Sequence, residues 1–419
     1  MTSTSSTARS RKLAAPEIVS SGYSVSWIST WNGSLGDWCQ GKAWYNGSSM
    51  YVTGHAELTT GNALVLVKFN IATRTPEWVS YFDDPNYDEE GRGVWGDGTY
   101  IYTVGMTDTA LNGNDLLLVK WDSKGEHVWN KTYSSPGYDS GEAVWGNASA
   151  IYTAGFLTVS GENINALLVA WDPTDGTMSW AHDWGYPKSD FFKAVSGDGT
   201  FIYTTGSSWV SDSTNFDMSL VKWYGNGTVA KNGTIGTIGN NNGDYSVDIC
   251  LIGASIITCG TFSTTGGASH NIAIVGWNSN CVPTWNATWG QSGYEMTISS
   301  MWKSGNSIFT CGDRRDMYGN LAGILAEFTA SGVYVSSKTY AFATLGQMCA
   351  IAGDSSAIYT AGTMDVNSTV NDYDIFFIKW TKDSPGTEPG VSGYPSLLLV
   401  LVIIATLPVL ILKKSRKRL

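Results

Sequence analysis

Between residues 22 and 382 the chain alternates short apolar or period-two runs with stretches of Gly, Asn, Asp and Ser, the cadence of strands and turns. One stretch shows the unit: GRGVWG, the turn GDGT, YIYTVG, then LLLVKW, the turn DSKG, and EHVWNKTY. The unit recurs. MYVTG ends at Gly54, IYTVG at Gly105, IYTAG at Gly155, IYTTG at Gly206, IITCG at Gly260, IFTCG at Gly312 and IYTAG at Gly362. These gaps of 51, 50, 51, 54, 52 and 50 residues make seven copies of one four-stranded unit. The third strand of each ends on an aromatic: Phe69, Trp121, Trp171, Trp223, Trp277, Phe328 and Trp380. The fourth carries Trp78, Trp129, Trp180 and Trp285, with Lys231 and Ser336 at the same register. Such flat, recurrent side chains fill the gap between neighbouring twisted sheets.

The last copy stops after its third strand, FFIKW, while an isolated strand, SVSWISTW (Ser24–Trp31), precedes the first copy. It has the Trp-x-x-x-aromatic spacing of TWNATW and SWAHDW, so it completes the last unit. A solenoid needs caps at its ends; a split unit closes a ring and protects its sheet edges. The expected fold is an all-β, seven-bladed β-propeller over residues 22–382, its last blade closed by the N-terminal strand. The cycle WNKTYSSPGYDSGEAVWGNASAIYTAG followed by NALLVAWDPTDG resembles the bacterial and archaeal SBBP-type β-propeller repeat family, and also tandem propeller repeats of archaeal surface proteins. The resemblance implies a surface-exposed propeller with a C-terminal membrane anchor and brings no catalytic residues.

The two ends read differently. Residues 394–412, YPSLLLVLVIIATLPVLIL, carry no charge and at 1.5 Å per residue span about 28 Å as a helix, the expected length of a transmembrane segment. A linker over 383–393 precedes it, and the basic tail 413–419 (KKSRKRL) places the C-terminus in the cytoplasm by the positive-inside rule. The expected localisation is therefore the cell membrane, single-pass, with the propeller outside. Residues 1–21, expected to be flexible, contain no apolar core of a signal peptide, which leaves the export route open.

Composition agrees with turns and strands: 48 Gly and 19 Trp, with only 15% charged residues. The formal charge is −11, and without the five basic residues of the tail the balance is 20 against 36, or −16. A body this acidic repels phosphate backbones, which excludes nucleic acid as the expected partner. Six cysteines permit fifteen disulfide pairings and match no metal-binding spacing. Eight N-x-[ST] sequons, at Asn32, Asn46, Asn130, Asn147, Asn226, Asn232, Asn286 and Asn367, are candidate glycosylation sites on an exported body.

Candidate chemistry centres on one recurring position. Before the first strand of each unit stand Asp37, Asp88, Asp139, Asp190, Asp244, Glu295 and, as an amide, Gln347; Asp115, Asn165, Asp217, Asn271 and Asp374 recur before the third. The first set is expected to ring one channel mouth. Its oxygens there suit Ca²⁺ or a ligand, whereas an acid repeated in every blade also suits simple capping of turns. The loop DDPNYDEE (Asp83–Glu90) is a local excess of acid. Four histidines (His55, His127, His182, His270) lie at unlike positions, so no nucleophile–His pair is indicated. The turns WDSKG and WDPTDG are similar to those of quinoprotein propellers, which have eight blades; hairpin turns need the same letters. The expected function is a surface platform for binding or adhesion to a protein or glycan, without a cofactor and without catalysis. The alternatives are an extracytoplasmic hydrolase or lyase using mouth acids such as Asp88 and Asp139, and a purely structural envelope protein.

Overall fold

In the computed structural model the described residues are 22–33, 36–109, 113–160, 163–210, 215–237, 243–263, 269–342, 345–367 and 372–383. Their strands form seven antiparallel sheets. With the strands of a blade lettered a to d in chain order, blade 2 comprises Glu89–Gly96, Ile101–Thr109, Gly113–Trp121 and His127–Tyr133, each paired with the next. Blade 7 has a, b and c from the end of the ring, Gly346–Gly353, Ile358–Asn367 and Asp372–Lys382, and takes Tyr23–Trp31 as its d strand. That strand pairs from Tyr23 opposite Lys382 to Trp31 opposite Ile375. The expected closure is thus observed, and Trp27 falls opposite Lys379 just as Trp129 falls opposite Lys120. Residues of all seven a strands line one central cavity, so the sheets form a ring.

The five tryptophans at the ends of the c strands are the largest fully buried side chains among the described residues, and Phe69 and Phe328 are fully buried as well. In five blades the indole donates Nε1–H to a threonine of strand b at 2.9 Å: Trp121 to Thr103, Trp171 to Thr153, Trp223 to Thr204, Trp277 to Thr258 and Trp380 to Thr360. Blade 1 replaces both partners by apolar residues, Phe69 and Val52. Blade 6 replaces only the indole, by Phe328, and the Thr310 hydroxyl is left buried without a partner. Apolar clusters form between adjacent blades, as where Tyr102 and Val104 of blade 2 meet Val144, Ile151 and Leu167 of blade 3.

The marker glycine is explained by a β-bulge. In six blades the a–b register slips by one residue, skipping Arg92, Glu142, Lys193, Val247, Ser299 and Cys349. In blade 1 the N–H groups of Gln40 and Gly41 both reach Thr53 O, at 3.4 and 3.2 Å. The bulge presses an a-strand carbonyl onto the facing glycine: a Cβ on Gly105 would stand 1.7 Å from Glu90 O, and on Gly155 1.8 Å from Ser140 O. No larger residue fits there, which is why every copy keeps Gly at that position.

Among the described residues no helix is long and apolar enough to cross a membrane. The expected N-terminal segment 1–21, transmembrane segment 394–412 and tail 413–419, with nearly all of the linker, lie outside the described residues.

Candidate functional site

The strand pairing separates the recurring acids into two groups. The position opposite the second residue after the marker glycine is occupied by Asp37, Glu89, Asp139 and Asp190 in blades 1 to 4 and by Met296 and Gly346 in blades 6 and 7; in blade 5 Asp244 directly precedes Tyr245, which pairs with Thr261, and accepts Ser263 N at 2.7 Å. All five acids are buried. Each accepts backbone N–H groups of the loop that leads into it: Gly33 N to Asp37 at 2.6 Å, Ser135 N to Asp139 at 2.5 Å, Tyr186 N to Asp190 at 2.7 Å, Thr237 N to Asp244 at 2.5 Å and Asp84 N to Glu89 at 3.2 Å. Asp88, Glu295 and Gln347 sit one position away and are exposed. Asp88 accepts Asn62 N at 2.8 Å, and Glu295 lies 3.5 Å from His270 Nδ1. The acids therefore share no single ring, because an offset counted in letters misses the one-residue register of the strand. Among the described residues no group of three or more His, Cys, Asp or Glu side chains is placed to hold a metal ion.

Burial raises the carboxyls of these caps, Glu89 to about 7, Asp139 to about 6 and Asp190 to about 7. The second recurring set continues the same register across each blade, Asp115 opposite Thr107, Asn165 opposite Leu157, Asp217 opposite Ser208, Asn271 opposite Phe262 and Asp374 opposite Met364. Burial lifts Asp217 to about 6 and raises Asp115 as well. Asn165 donates to Asp183 and Asp374 accepts from Asn32, so this set also anchors loop ends.

The bulge residues are the signal that the repeat hides. Seven of them, Gln40, Arg92, Glu142, Lys193, Val247, Ser299 and Cys349, line the central cavity of about 360 Å³. Four blades use neutral side chains at this position, so the fold requires no charge there. Blades 2 to 4 place Arg92, Glu142 and Lys193 side by side. Glu142 accepts from Arg92 Nη1 at 2.5 Å and from Lys193 Nζ at 2.7 Å, and Arg92 also faces Glu90 at 3.4 Å. Across the channel, Lys42 of blade 1 meets Asp248 of blade 5 at 2.6 Å. Paired burial on this scale costs desolvation and is not explained by packing. A triplet of charged letters at the bulge register was available in the sequence, but only a reading that located the bulge could select it.

The sequons fall in two settings. Asn130, Asn232 and Asn286 occupy the same register on the exposed d strands of blades 2, 4 and 5. Asn46, Asn147 and Asn226 accept backbone N–H groups within tight turns, and Asn32 bonds Asp374 at 2.7 Å. The Asn367 side chain lies outside the described residues. All six cysteines are free thiols, five of them buried.

No protein-family model and no curated protein matches the chain. Among solved structures it is similar to the Dos1 propeller, at 10% identity and a TM-score of 0.48 over 84% of this chain and 94% of that one. It is similar also to Chaetomium thermophilum Sqt1 bound to the N-terminus of ribosomal protein L10 (11%, 0.47, 84% and 98%), and to the extracellular domains 1–2 of Drosophila Semaphorin 1b (8%, 0.48, 85% and 87%). Likeness at this level says nothing about what the chain binds; the seven-bladed architecture rests on its own sheets and closure.

Proposed function

We propose that this protein is a membrane-tethered propeller displayed outside the cell, whose variable rim docks a protein partner. The two rims are built differently. On one, the a–b and c–d connections are short turns, most of them fastened by an Asp or Asn side chain, as Asp97 accepts Thr99 N and Tyr100 N at 2.7 Å and Asp122 accepts Lys124 N at 2.8 Å. On the other, the b–c connections vary from two residues (59–60) to eight (209–216), and the d–a connections vary too. Loops on a rigid ring change without disturbing the strands, so recognition gathers there.

The observation that carries the reading is the b–c turn of blade 6. Met317 and Tyr318 are 79% and 82% exposed, yet the turn that presents them is fixed. Asp316 accepts Tyr318 N and Asn320 N at 2.9 Å, its backbone oxygen accepts Gly319 N at 3.0 Å, and Gly319 has φ of 87°. A solvated Met–Tyr pair on a turn already held in shape spares the backbone part of the ordering cost on docking, leaving only side-chain rotamers to fix, and suits an interface anchor. Leu345 and Tyr138 add apolar surface on the same rim.

The uncharged segment 394–412 and its basic flank support the tether and the orientation. A photo-crosslinking residue at position 318, compared with one at Thr99 on the opposite rim, tests the platform on intact cells. The reading requires protein adducts from 318 and not from 99; equal yields overturn it. Protease added to intact cells should cut the linker 383–393 and release the propeller, and a propeller that survives until the membrane is opened refutes the orientation.

A further inference from the structure

We propose that the central cavity is a binding site for a small hydroxylated carboxylate of sugar-acid type, independent of the docking rim. The acids and the cations around the lumen differ in unused hydrogen-bonding capacity. The acids are satisfied and withdrawn. Asp248 Oδ1 accepts Lys42 Nζ at 2.6 Å and Ile249 N at 2.9 Å, while its Oδ2 accepts Ser300 Oγ at 3.0 Å and Met301 N at 2.8 Å. Glu142 accepts Arg92, Lys193 and, at 3.3 Å, Ser140 Oγ. Their side chains are only 10% and 8% exposed.

The cations face the lumen instead. Lys193, Arg92 and Lys42 are 34%, 21% and 20% exposed; the Lys193 and Lys42 ammoniums each have three N–H donors of which one is engaged with an acid, while the Arg92 guanidinium is shared between Glu142 and Glu90. What the wall offers to an occupant is therefore donors without matching acceptors, the requirement of an oxyanion. The arc facing them is neutral and polar: Ser299, Gln40 and Gln347 suit hydroxyl groups rather than a second charge. Trp38 and Val247 supply apolar contact, and about 360 Å³ is at the small end of ligand sites, room for one or two sugar rings. A bare inorganic anion would leave the neutral arc unused, and a neutral sugar would leave the ammonium donors unused.

Isothermal titration of the full-length chain in detergent micelles, with D-glucuronate, D-glucose and inorganic phosphate as probes, tests the site. The expected result is glucuronate binding at least about tenfold tighter than either other probe, the worth of one charge-assisted contact, and weakening as salt is raised. Lys193→Gln should lose about tenfold in affinity, while Lys231→Gln, on an exposed d strand, should bind as the parent does. Lys193→Arg keeps the charge and should restore most of the binding, which separates a lost contact from a misfolded ring. Equal binding of glucose and glucuronate, tighter binding of phosphate, no heat with any probe, or full affinity in Lys193→Gln each overturns the proposal.

Discussion

Blades 2 and 6 offer the same substitution with opposite expected signs. In blade 2 the Thr103 hydroxyl accepts the Trp121 indole N–H at 2.9 Å, and both residues are at most 1% exposed. Thr103→Val removes the acceptor, keeps the volume and leaves a buried N–H without a partner, which costs about 1–3 kcal/mol. In blade 6 the equivalent Thr310 is fully buried, Phe328 stands where the other blades have the indole, and the Thr310 hydroxyl has no partner. Thr310→Val removes a desolvated polar group and should stabilise by about 1 kcal/mol or more, since burying a hydroxyl unpaired costs about 1–3 kcal/mol. The two variants thus differ by roughly 2–6 kcal/mol in the sum of those terms. Urea unfolding followed by tryptophan fluorescence measures both as shifts in midpoint at constant slope. Equal destabilisation by the two valines would refute the assignment of the Trp–Thr bond as the reason for threonine at this position.

Four further outcomes are expected. Glu89, Asp139 and Asp190 have carboxyls raised to about 7, 6 and 7 by burial, so between about pH 4 and 7 the folded state holds more protons than the unfolded state. Stability from these groups is present at acid pH and lost as pH rises through that window; melting temperature should fall from pH 5 to 8, and Asp190→Asn should flatten the profile. Gly105→Ala places a Cβ 1.7 Å from Glu90 O and should destabilise by more than about 3 kcal/mol, read by thermal melting, because only backbone can give way. Glu142→Gln should cost more stability than Lys193→Gln, since it leaves two cations facing each other instead of one acid still paired with Arg92. Removing residues 1–31 deletes the d strand of blade 7 and should give an aggregating chain by light scattering, whereas removing 1–21 should not.

The ring was legible because its signals are local and repeated. The glycine that meets a bulged carbonyl, the aromatic that fills the gap between blades and the split final unit each leave a letter at fixed spacing. The capping role of the acids was legible as one of two readings, but Asp88 and Glu295 are indistinguishable from the caps in the sequence because an acid one residue off register is the same letter at nearly the same spacing. The channel wall was not legible. Its residues share no letter, and what makes Arg92, Glu142 and Lys193 neighbours is the skipped residue of a bulge, a feature of pairing rather than of composition.

Pairing Tyr23–Trp31 with Asp372–Lys382 also ties the order of synthesis to the order of assembly. Within the ring, the strand made first is the last to find its partner, and until then the nascent propeller carries an unsatisfied edge at each end of an open arc. Termination before residue 372 leaves that seam unsewn, so the closure acts as an inspection of complete translation of the propeller. Incomplete chains would present bare strand edges to chaperones and proteases, and only finished ones would hide them.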